Sequence, residues 1–100
     1  MASLDRLTVG RRAQRDIRLI LQESAARWGP EQAASYSAAM DAAIERIAAH
    51  PEIGVVQPKF AGVRGVVVEQ HLMLYRTNSR GVRIPRVVHQ RINFDSVKLR

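Results

Sequence analysis

The stretch VRGVVVEQHLMLYRTNSRGVRIPRVVHQR, residues 63–91, predicts the sheet around which the chain is organised. It holds three runs of strand length that are rich in valine, leucine and isoleucine, over residues 63–69, 71–77 and 82–90. Residues 78–81, NSRG, predict a hairpin turn, because Asn and Gly tolerate the positive φ of tight turns. Pro85 removes a ladder hydrogen bond, so we expect an interruption there.

A short strand and two helices are predicted upstream of this sheet. Residues 4–9 alternate weakly, as in a strand. Gly29-Pro30 then separates two helical patterns so tightly that the helices must form an antiparallel hairpin. Trp28 and Tyr36 are expected to be the bulky wedges of the helical layer. The predicted inward positions are Ala13, Ile17, Ile20, Leu21, Ser24 and Trp28 in the first helix, and Ala33, Tyr36, Met40, Ala43, Ile44 and Ile47 in the second.

These elements predict an α+β fold. Residues 51–62 contain two prolines and two glycines, and are interpreted as a loop that crosses from the helices to the sheet. The expected architecture is a short N-terminal strand and an antiparallel helical hairpin packed on a three- to four-stranded antiparallel sheet. One hundred residues suffice for a single domain with one modest core, here residues 1–100.

Composition excludes several classes of protein. With 46% hydrophobic and 25% charged residues, the chain has the make-up of an ordinary globular protein. There is no cysteine, so neither a disulfide nor a thiolate metal site can form. The sequence shows no signal peptide and no apolar run long enough to cross a membrane, and we expect a cytoplasmic protein. No Gly-rich phosphate loop or metal-ligand spacing is present, so no cofactor and no metal are expected.

The net charge of +7 is concentrated in the last part of the chain. Residues 1–58 carry seven basic and seven acidic side chains, whereas residues 59–100 carry nine basic and two acidic ones. A one-sided positive field favours a polyanionic partner, which is either nucleic acid or an acidic protein segment. The alternative is that the arginines only keep a small domain soluble.

Polar side chains on the predicted strands are the candidate functional residues. Strand alternation places Arg86 and His89 on opposite faces, unless Pro85 resets the register, which weakens a single shared site. His89 could act as a general acid or base, or could be a hydrogen-bonded structural residue at a strand end. Arg76 and Arg86 could clamp phosphates, or could satisfy acids of the helical layer or of a partner. The full group is Arg64, Tyr75, Arg76, Arg86, His89 and Arg91.

Seven short motifs, in the right order and spacing, resemble the ParE branch of the ParE/RelE toxins. The resemblance extends from about residue 7 to residue 91. The motifs are A(x2)DI(x2)I at residues 13–20, RWG at 27–29, QAASY at 32–36, HPEIG at 50–54, GVR at 62–64, HLMLYR at 71–76 and RVVHQR at 86–91.

The resemblance implies the toxin of a type II toxin–antitoxin pair. Toxins of the ParE type inhibit DNA gyrase, and are neutralised by a ParD-like antitoxin whose disordered C-terminal segment folds along the toxin. The antitoxin carries the operator-binding part, so we expect no direct sequence-specific DNA binding from this chain. The predicted contacts to target or antitoxin are Arg64, Tyr75, Arg76, Arg86, His89, Arg91, Ile92 and Phe94. Leu99 is a further candidate, since the tail after Arg91 is unusually apolar.

Two alternatives stay open at this point. Relatives of the RelE type are ribosome-dependent mRNA endonucleases, and in that case the catalytic residues would be His89, Arg64 and Arg86. Against this, Lys59 is the only lysine before the tail, and the tail offers Phe94 but no tyrosine. We therefore favour gyrase inhibition, with no catalytic residue, over the nuclease. The last alternative is a non-toxic basic binding module.

Overall fold

The computed structural model describes residues 6–99, which form a two-helix hairpin on one five-stranded sheet. The order of strands across the sheet is β1-β5-β4-β3-β2. The predicted α+β architecture is confirmed, but the sheet is mixed rather than wholly antiparallel. Its strands are β1 (Leu7–Val9), β2 (Val55–Val56), β3 (Val63–Val68), β4 (His71–Asn78) and β5 (Gly81–His89).

Both edge strands are short, and both depart from the sequence prediction. β1 begins at Leu7, so Arg6 is not part of it, and residues 4 and 5 of the predicted 4–9 strand lie outside the described residues. It pairs parallel with β5, in the register Leu7 to Val82. β2 lies inside the predicted 51–62 loop and pairs antiparallel with β3. The prediction missed this strand because it has only two residues and lies among prolines and glycines.

The two helices meet at Gly29-Pro30, as predicted. They are α1 (Arg11–Trp28) and α2 (Pro30–Ala49), joined by Gly29 alone. Gly29 has φ 94°, a left-handed value that glycine adopts without a Cβ penalty, and its N–H donates to the carbonyl of Ala25. Pro30 follows at the first helical position, where its missing N–H leaves no acceptor unsatisfied. The predicted antiparallel hairpin is thus confirmed.

One face of the sheet packs against the hairpin. The core side chains here come from both helices and from β3, β4 and β5, and most are fully buried. Burying a side chain of this size contributes about 1.5–3 kcal/mol, so this face supplies most of the driving force for folding. The cluster comprises Ala13, Met40, Ala43, Ile47, Val66, Val68, Met73, Tyr75, Val82, Ile84 and Val87.

The other face of the sheet, called the outer face below, is covered by the C-terminal tail. Val97 is buried there against Leu74 and Val88, while Phe94 packs on Phe60 with ring centroids 5.7 Å apart. A short 3₁₀ turn over Phe94–Ser96 bends the tail back onto the strands. The tail therefore folds back on the sheet and does not extend away from it.

The expected interruption of the ladder lies at Pro85. Leu74 is paired with Arg86, but Arg76 is paired with Arg83, so β5 carries one more residue than β4 between these pairs. The extra residue is a β-bulge, which frees Pro85 from donating a ladder hydrogen bond. After the bulge the alternation is regular: Val87 joins the helical core and Val88 the outer one.

Trp28 contradicts the packing predicted for it. Its side chain is 71% exposed, whereas Tyr36 is half-buried and Ser24 is buried as expected. Trp28 is the last residue of α1, and an open cleft beneath the tip of the hairpin separates that turn from the sheet. The helical spacing of Trp28 was right, but no strand lies below it.

Candidate functional site

Arg86 is held by a carboxylate from the helical hairpin. Its Nε lies 2.7 Å from Oδ2 of Asp16, and its Nη2 lies 3.2 Å from Oδ1. The backbone N–H of Val87 donates to the same carboxylate at 3.0 Å. Both charged side chains are only about one-sixth exposed, at 14% and 16%. Of the two roles open to Arg86, the structure therefore shows the ion pair with the helical layer.

The local reason for this pair is the length of β1. Val9 is the last residue of β1 and is paired with Ile84, so β5 has no neighbour on that side beyond this point. The N–H of Val87 would be unsatisfied there, and a buried unpaired N–H is costly. Asp16, in the second turn of α1, supplies the missing acceptor.

Arg64 and Tyr75 hold the loop that follows α2. The Tyr75 hydroxyl donates to the carbonyl of Pro51 at 2.7 Å and accepts from the N–H of Gly54 at 2.8 Å. Nη1 of Arg64 donates to the carbonyls of Glu52 and Gly54 at 3.2 and 2.8 Å. Burial raises the pKa of Tyr75, so this hydroxyl stays protonated at neutral pH. Both residues are thus committed to internal contacts.

Gly54 belongs to the same arrangement. A Cβ at this position would lie 2.6 Å from the Tyr75 hydroxyl, closer than any real contact of this kind. Only glycine lets the loop backbone approach the phenol closely enough for the hydrogen bond. Two residues of the HPEIG motif, Pro51 and Gly54, are thus the ones that form hydrogen bonds with Tyr75.

His71 and His89 lie side by side at the other end of β4 and β5. They are register partners, and their rings meet edge to face with centroids 5.3 Å apart. Nδ1 of His71 is hydrogen-bonded to the hydroxyl of Tyr36, while Nδ1 of His89 accepts from the N–H of Arg91 at 3.1 Å. Desolvation, followed by the charge of His89, lowers the pKa of His71. His71 is therefore neutral at physiological pH, and His89 is the exposed member of the pair.

The cleft beside these rings has a volume of about 690 Å³. Tyr36 and His71 line one side, and Trp28 lines the tip of the hairpin. Ser24 also lines it, and its buried hydroxyl has no hydrogen-bond partner. Glu69, in the turn between β3 and β4, has φ 56°, a strained value for a residue other than glycine. These features mark the cleft as a candidate binding site that the sequence analysis missed.

The remaining candidates are on the surface or under the tail. Arg76 and Arg91 are exposed, and Ile92 is 36% exposed just after β5. Phe94 is half-buried against Phe60, so it is part of the outer core. Of this group, Arg76, Arg91 and Ile92 are available to a partner without any movement of the tail.

The structure does not bring the three candidate nuclease residues together. Arg64 is opposite Tyr75 and His89 is opposite His71, so they are separated by about four residues of strand, roughly 13 Å. Arg86 lies on the outer face, as strand alternation predicted, while His89 lies on the helical face. Arg64, Arg86 and His89 therefore lie in three different places, whereas a nuclease would need them in one site.

Two further features concern ligands and membranes. Within residues 6–99, no three side chains of His, Asp or Glu come together in a way that could hold a metal ion. Over the same residues, neither helix is long and apolar enough to cross a membrane.

Comparisons with known proteins agree with this fold. The family model described as "ParE toxin of type II toxin-antitoxin system, parDE" matches residues 7–94. Toxin ParE1 of Caulobacter vibrioides is 42% identical over 86 residues, covering 85% of this chain and 88% of the relative. Toxin ParE1 of Mycobacterium tuberculosis is 37% identical over 71 residues, covering 69% and 72%.

A solved structure shows the same fold at lower identity. A chain of the chromosomal ParDE toxin–antitoxin system from P. aeruginosa superposes with a TM-score of 0.73 at 21% identity, covering 83% of this chain and 92% of that one. The match to the family model, together with the relative at 42% identity, confirms the resemblance inferred from the seven motifs. The chain belongs to the ParE family of type II toxin–antitoxin toxins.

Proposed function

We propose that this chain inhibits DNA gyrase and is neutralised by a ParD-like antitoxin. Its membership of the ParE family supports the target. The observation that carries the choice over RNA cleavage is the engagement of the candidate cations. Arg86 is bonded to Asp16, and Arg64 to two loop carbonyls. Gyrase acts in the cytoplasm, so the proposal places the toxin there too.

The nuclease alternative lacks a cationic centre. Cleavage of RNA through the 2′-hydroxyl needs a base, an acid and cations around one phosphate. The pair His71 and His89 offers a base and an acid, but among the described residues no lysine or arginine side chain donates a hydrogen bond to either ring, and the N–H of Arg91 that does so belongs to the backbone. Arg27 lines the same cleft, yet it is paired with Glu23 at 3.7 Å. We therefore treat RNA cleavage as the alternative to be excluded by experiment.

An antitoxin segment that covers exposed apolar side chains fits the surface of the toxin. One apolar patch surrounds β2 and the neighbouring part of β3, and further exposed side chains lie on α1 and after β5. An acidic amphipathic segment would bury these positions and neutralise nearby arginines. The exposed apolar residues are Leu19, Trp28, Ile53, Val55, Val56, Val67 and Ile92.

The gyrase assay tests the proposed target directly. Purified toxin is added to gyrase, relaxed plasmid and ATP, and both supercoiled product and cleaved plasmid are measured. We expect less supercoiling and more cleaved DNA, and both effects should disappear when the antitoxin is added. A toxin that changes neither product overturns the proposal.

A matched pair of variants locates the contact with gyrase. Arg91→Gln with Ile92→Ser alters the exposed candidates after β5, and Arg46→Gln with Val55→Ser makes the same chemical change elsewhere on the surface. We expect the first pair to reduce the inhibition of gyrase and the second to leave it unchanged. Equal effects of both would contradict a contact at residues 91 and 92.

Two further assays separate the alternatives. Messenger RNA in a translating extract should stay intact in the presence of the toxin, whereas a ribosome-dependent nuclease would cleave it. Induced expression without antitoxin should arrest growth, whereas a non-toxic binding module would not. A stable, unaccompanied monomer at high concentration in gel filtration would count against the proposed antitoxin surface.

A further inference from the structure

The start of α1 carries an unfavourable pattern of charge. Arg11 and Arg12 occupy its first two positions, Arg15 follows one turn later, and the first turn has no acidic residue. All three side chains are exposed. The N-terminus of a helix has a positive partial charge, so basic side chains there destabilise the helix. Such a local conflict is expected where the residues serve another purpose.

A second unfavourable pattern lies on the adjacent strands. Arg76 of β4 and Arg83 of β5 are direct register partners, so their side chains leave the sheet on the same face. Like charges directly opposite each other across two strands are destabilising. Both residues are exposed.

The backbone of Gly10 brings these two patterns together. A Cβ at Gly10 would lie 2.9 Å from Nη2 of Arg83, so the guanidinium of Arg83 rests against the residue that immediately precedes Arg11. Because Arg83 meets the start of α1 here and is the register partner of Arg76, we group the five side chains as one basic region, called the arginine surface below. It comprises Arg11, Arg12, Arg15, Arg76 and Arg83.

No carboxylate of residues 6–99 forms an ion pair with any of these five arginines. The nearest acid along α1 is Asp16, which is one turn after Arg12 and is bonded to Arg86 and the N–H of Val87. The positive charge of the arginine surface is therefore not neutralised by the described part of the chain. An external polyanion would relieve both unfavourable patterns at once.

We propose that the arginine surface binds the phosphate backbone of duplex DNA without reading its sequence. An acidic amphipathic peptide would need several apolar anchors, and of the exposed large apolar residues of α1 only Leu19 lies within a turn of one of these arginines. Guanidinium groups match phosphate oxygens in a bidentate manner. A single strand would need aromatic stacking platforms, and the exposed Trp28 is at the opposite end of α1.

The proposal goes beyond the inhibition of gyrase and does not depend on it. It gives the toxin a direct contact with the DNA on which a topoisomerase acts. The antitoxin remains the part expected to recognise an operator. Failure of the gyrase assay would leave this surface and its DNA affinity unchanged, so the two proposals fail separately.

The test is the binding of purified full-length toxin to a labelled 24-base-pair duplex of random sequence, followed by fluorescence anisotropy at several salt concentrations. Each phosphate contact contributes about 0.9 to the slope of log K against log salt, so five arginines predict a slope of about −4 to −5. We expect equal affinity for duplexes of different sequence and weaker binding to a single strand. A salt-independent affinity, or a preference for the single strand, overturns the proposal.

Matched variants distinguish this surface from net charge. Arg11→Gln with Arg12→Gln and Arg76→Gln should weaken binding at least tenfold and make the salt slope shallower by about 2.7. The control, Arg27→Gln with Arg46→Gln and Arg91→Gln, removes the same charge from other exposed arginines. Equal losses in the two triple variants would show that only net charge matters.

Thermal unfolding of the same variants excludes a structural explanation. Removing Arg11 and Arg12 relieves the repulsion at the start of α1, so the midpoint should stay the same or rise while DNA binding falls. The single variant Arg76→Gln is a second test, because it lies on β4 and leaves the sequence of α1 unaltered. It should weaken binding and make the slope shallower by about 0.9. Unchanged binding in this single variant and in the triple one would refute the assignment.

Discussion

Two arginines of β5, only three residues apart, illustrate how different roles arise from one residue type. Arg86 is largely buried and bonded to Asp16, whereas Arg83 is exposed and has no carboxylate partner among residues 6–99. The difference comes from the length of β1. Arg83 lies beside Thr8, where β1 still occupies the edge, and Arg86 lies beyond the end of β1. The neighbouring strand decides whether an arginine here is structural or available to a partner.

The same contrast separates Arg64 from Arg76. Arg64 is opposite Tyr75 and reaches the loop after α2, while Arg76 is opposite Val63 near the end of β4 and is exposed. Net charge alone does not distinguish these arginines. Their contacts divide them into two sets: a bonded set that stabilises the fold, and an exposed set that destabilises it slightly.

Asp16→Ala should produce the largest change in stability. It leaves the Arg86 guanidinium and the N–H of Val87 without their acceptor in a region that is only about one-sixth exposed. Breaking such a pair costs about 3 kcal/mol. Urea unfolding of the isolated toxin measures this loss. The control Asp41→Ala removes an exposed carboxylate of α2 and should change stability by less than about 0.5 kcal/mol. Similar losses for both would show that the edge contact contributes nothing.

Tyr75→Phe should have the next largest effect. It removes the acceptor for the N–H of Gly54 and the donor to the carbonyl of Pro51 without opening a cavity. The expected loss is about 2 kcal/mol, because both loop groups are left unsatisfied. Tyr36→Phe is the comparison, since its half-buried hydroxyl can be replaced by water. A loss at Tyr36 larger than at Tyr75 would contradict the role of the Tyr75 hydroxyl in holding the loop after α2.

The stability of the folded protein should depend on pH through His71. Burial lowers its pKa in the folded protein, so the unfolded chain binds more protons near pH 6.5 and below. Stability should therefore fall as the pH decreases below about 6.5. The charged or titratable groups facing His71 are Tyr36 on α2, His89 on β5, and Glu23 and Asp16 on α1.

Thermal midpoints between pH 7.5 and 5.5 test this dependence. His71→Asn should flatten the decline, whereas His89→Asn, at the exposed member of the pair, should alter it less. An unchanged pH profile in His71→Asn would remove His71 from the explanation.

Arg76→Gln should have the smallest effect on stability, and the opposite sign. It removes the like charge opposite Arg83, which stabilises the sheet by about a few tenths of a kcal/mol. A small rise of the thermal midpoint, together with weaker DNA binding, is the expected combination. A clear loss of stability would place Arg76 in the bonded set.

Local signals were sufficient to predict the helices and the three long strands. The spacing of apolar residues, Gly29-Pro30, and the turn before Gly81 all act over a few residues of chain. Pro85 even located the bulge, because a proline cannot donate to the ladder. These features depend on backbone chemistry that any sequence displays directly.

The missed features depend on contacts distant in sequence. Asp16 and Arg86 are 70 residues apart, and although the predicted strand ends at residue 9 as β1 does, nothing in either segment indicates that Asp16 meets the part of β5 that β1 leaves without a neighbour. Trp28 has helical spacing appropriate for the core, yet the sheet does not extend beneath it. The cleft beside His71 exists only after the hairpin is placed on the sheet. Only tertiary structure can show which charges are already satisfied.

The carboxylate of Asp16 also limits how the sheet can grow. With the N–H of Val87 occupied and Arg86 beside it, an additional strand cannot pair with this part of β5. On that side only the three residues of β1 remain at the edge. Continuous fibres need two edges that both accept strands, and here one of them offers only the three residues of β1. Pairing through β2 would therefore favour two molecules over a continuous fibre.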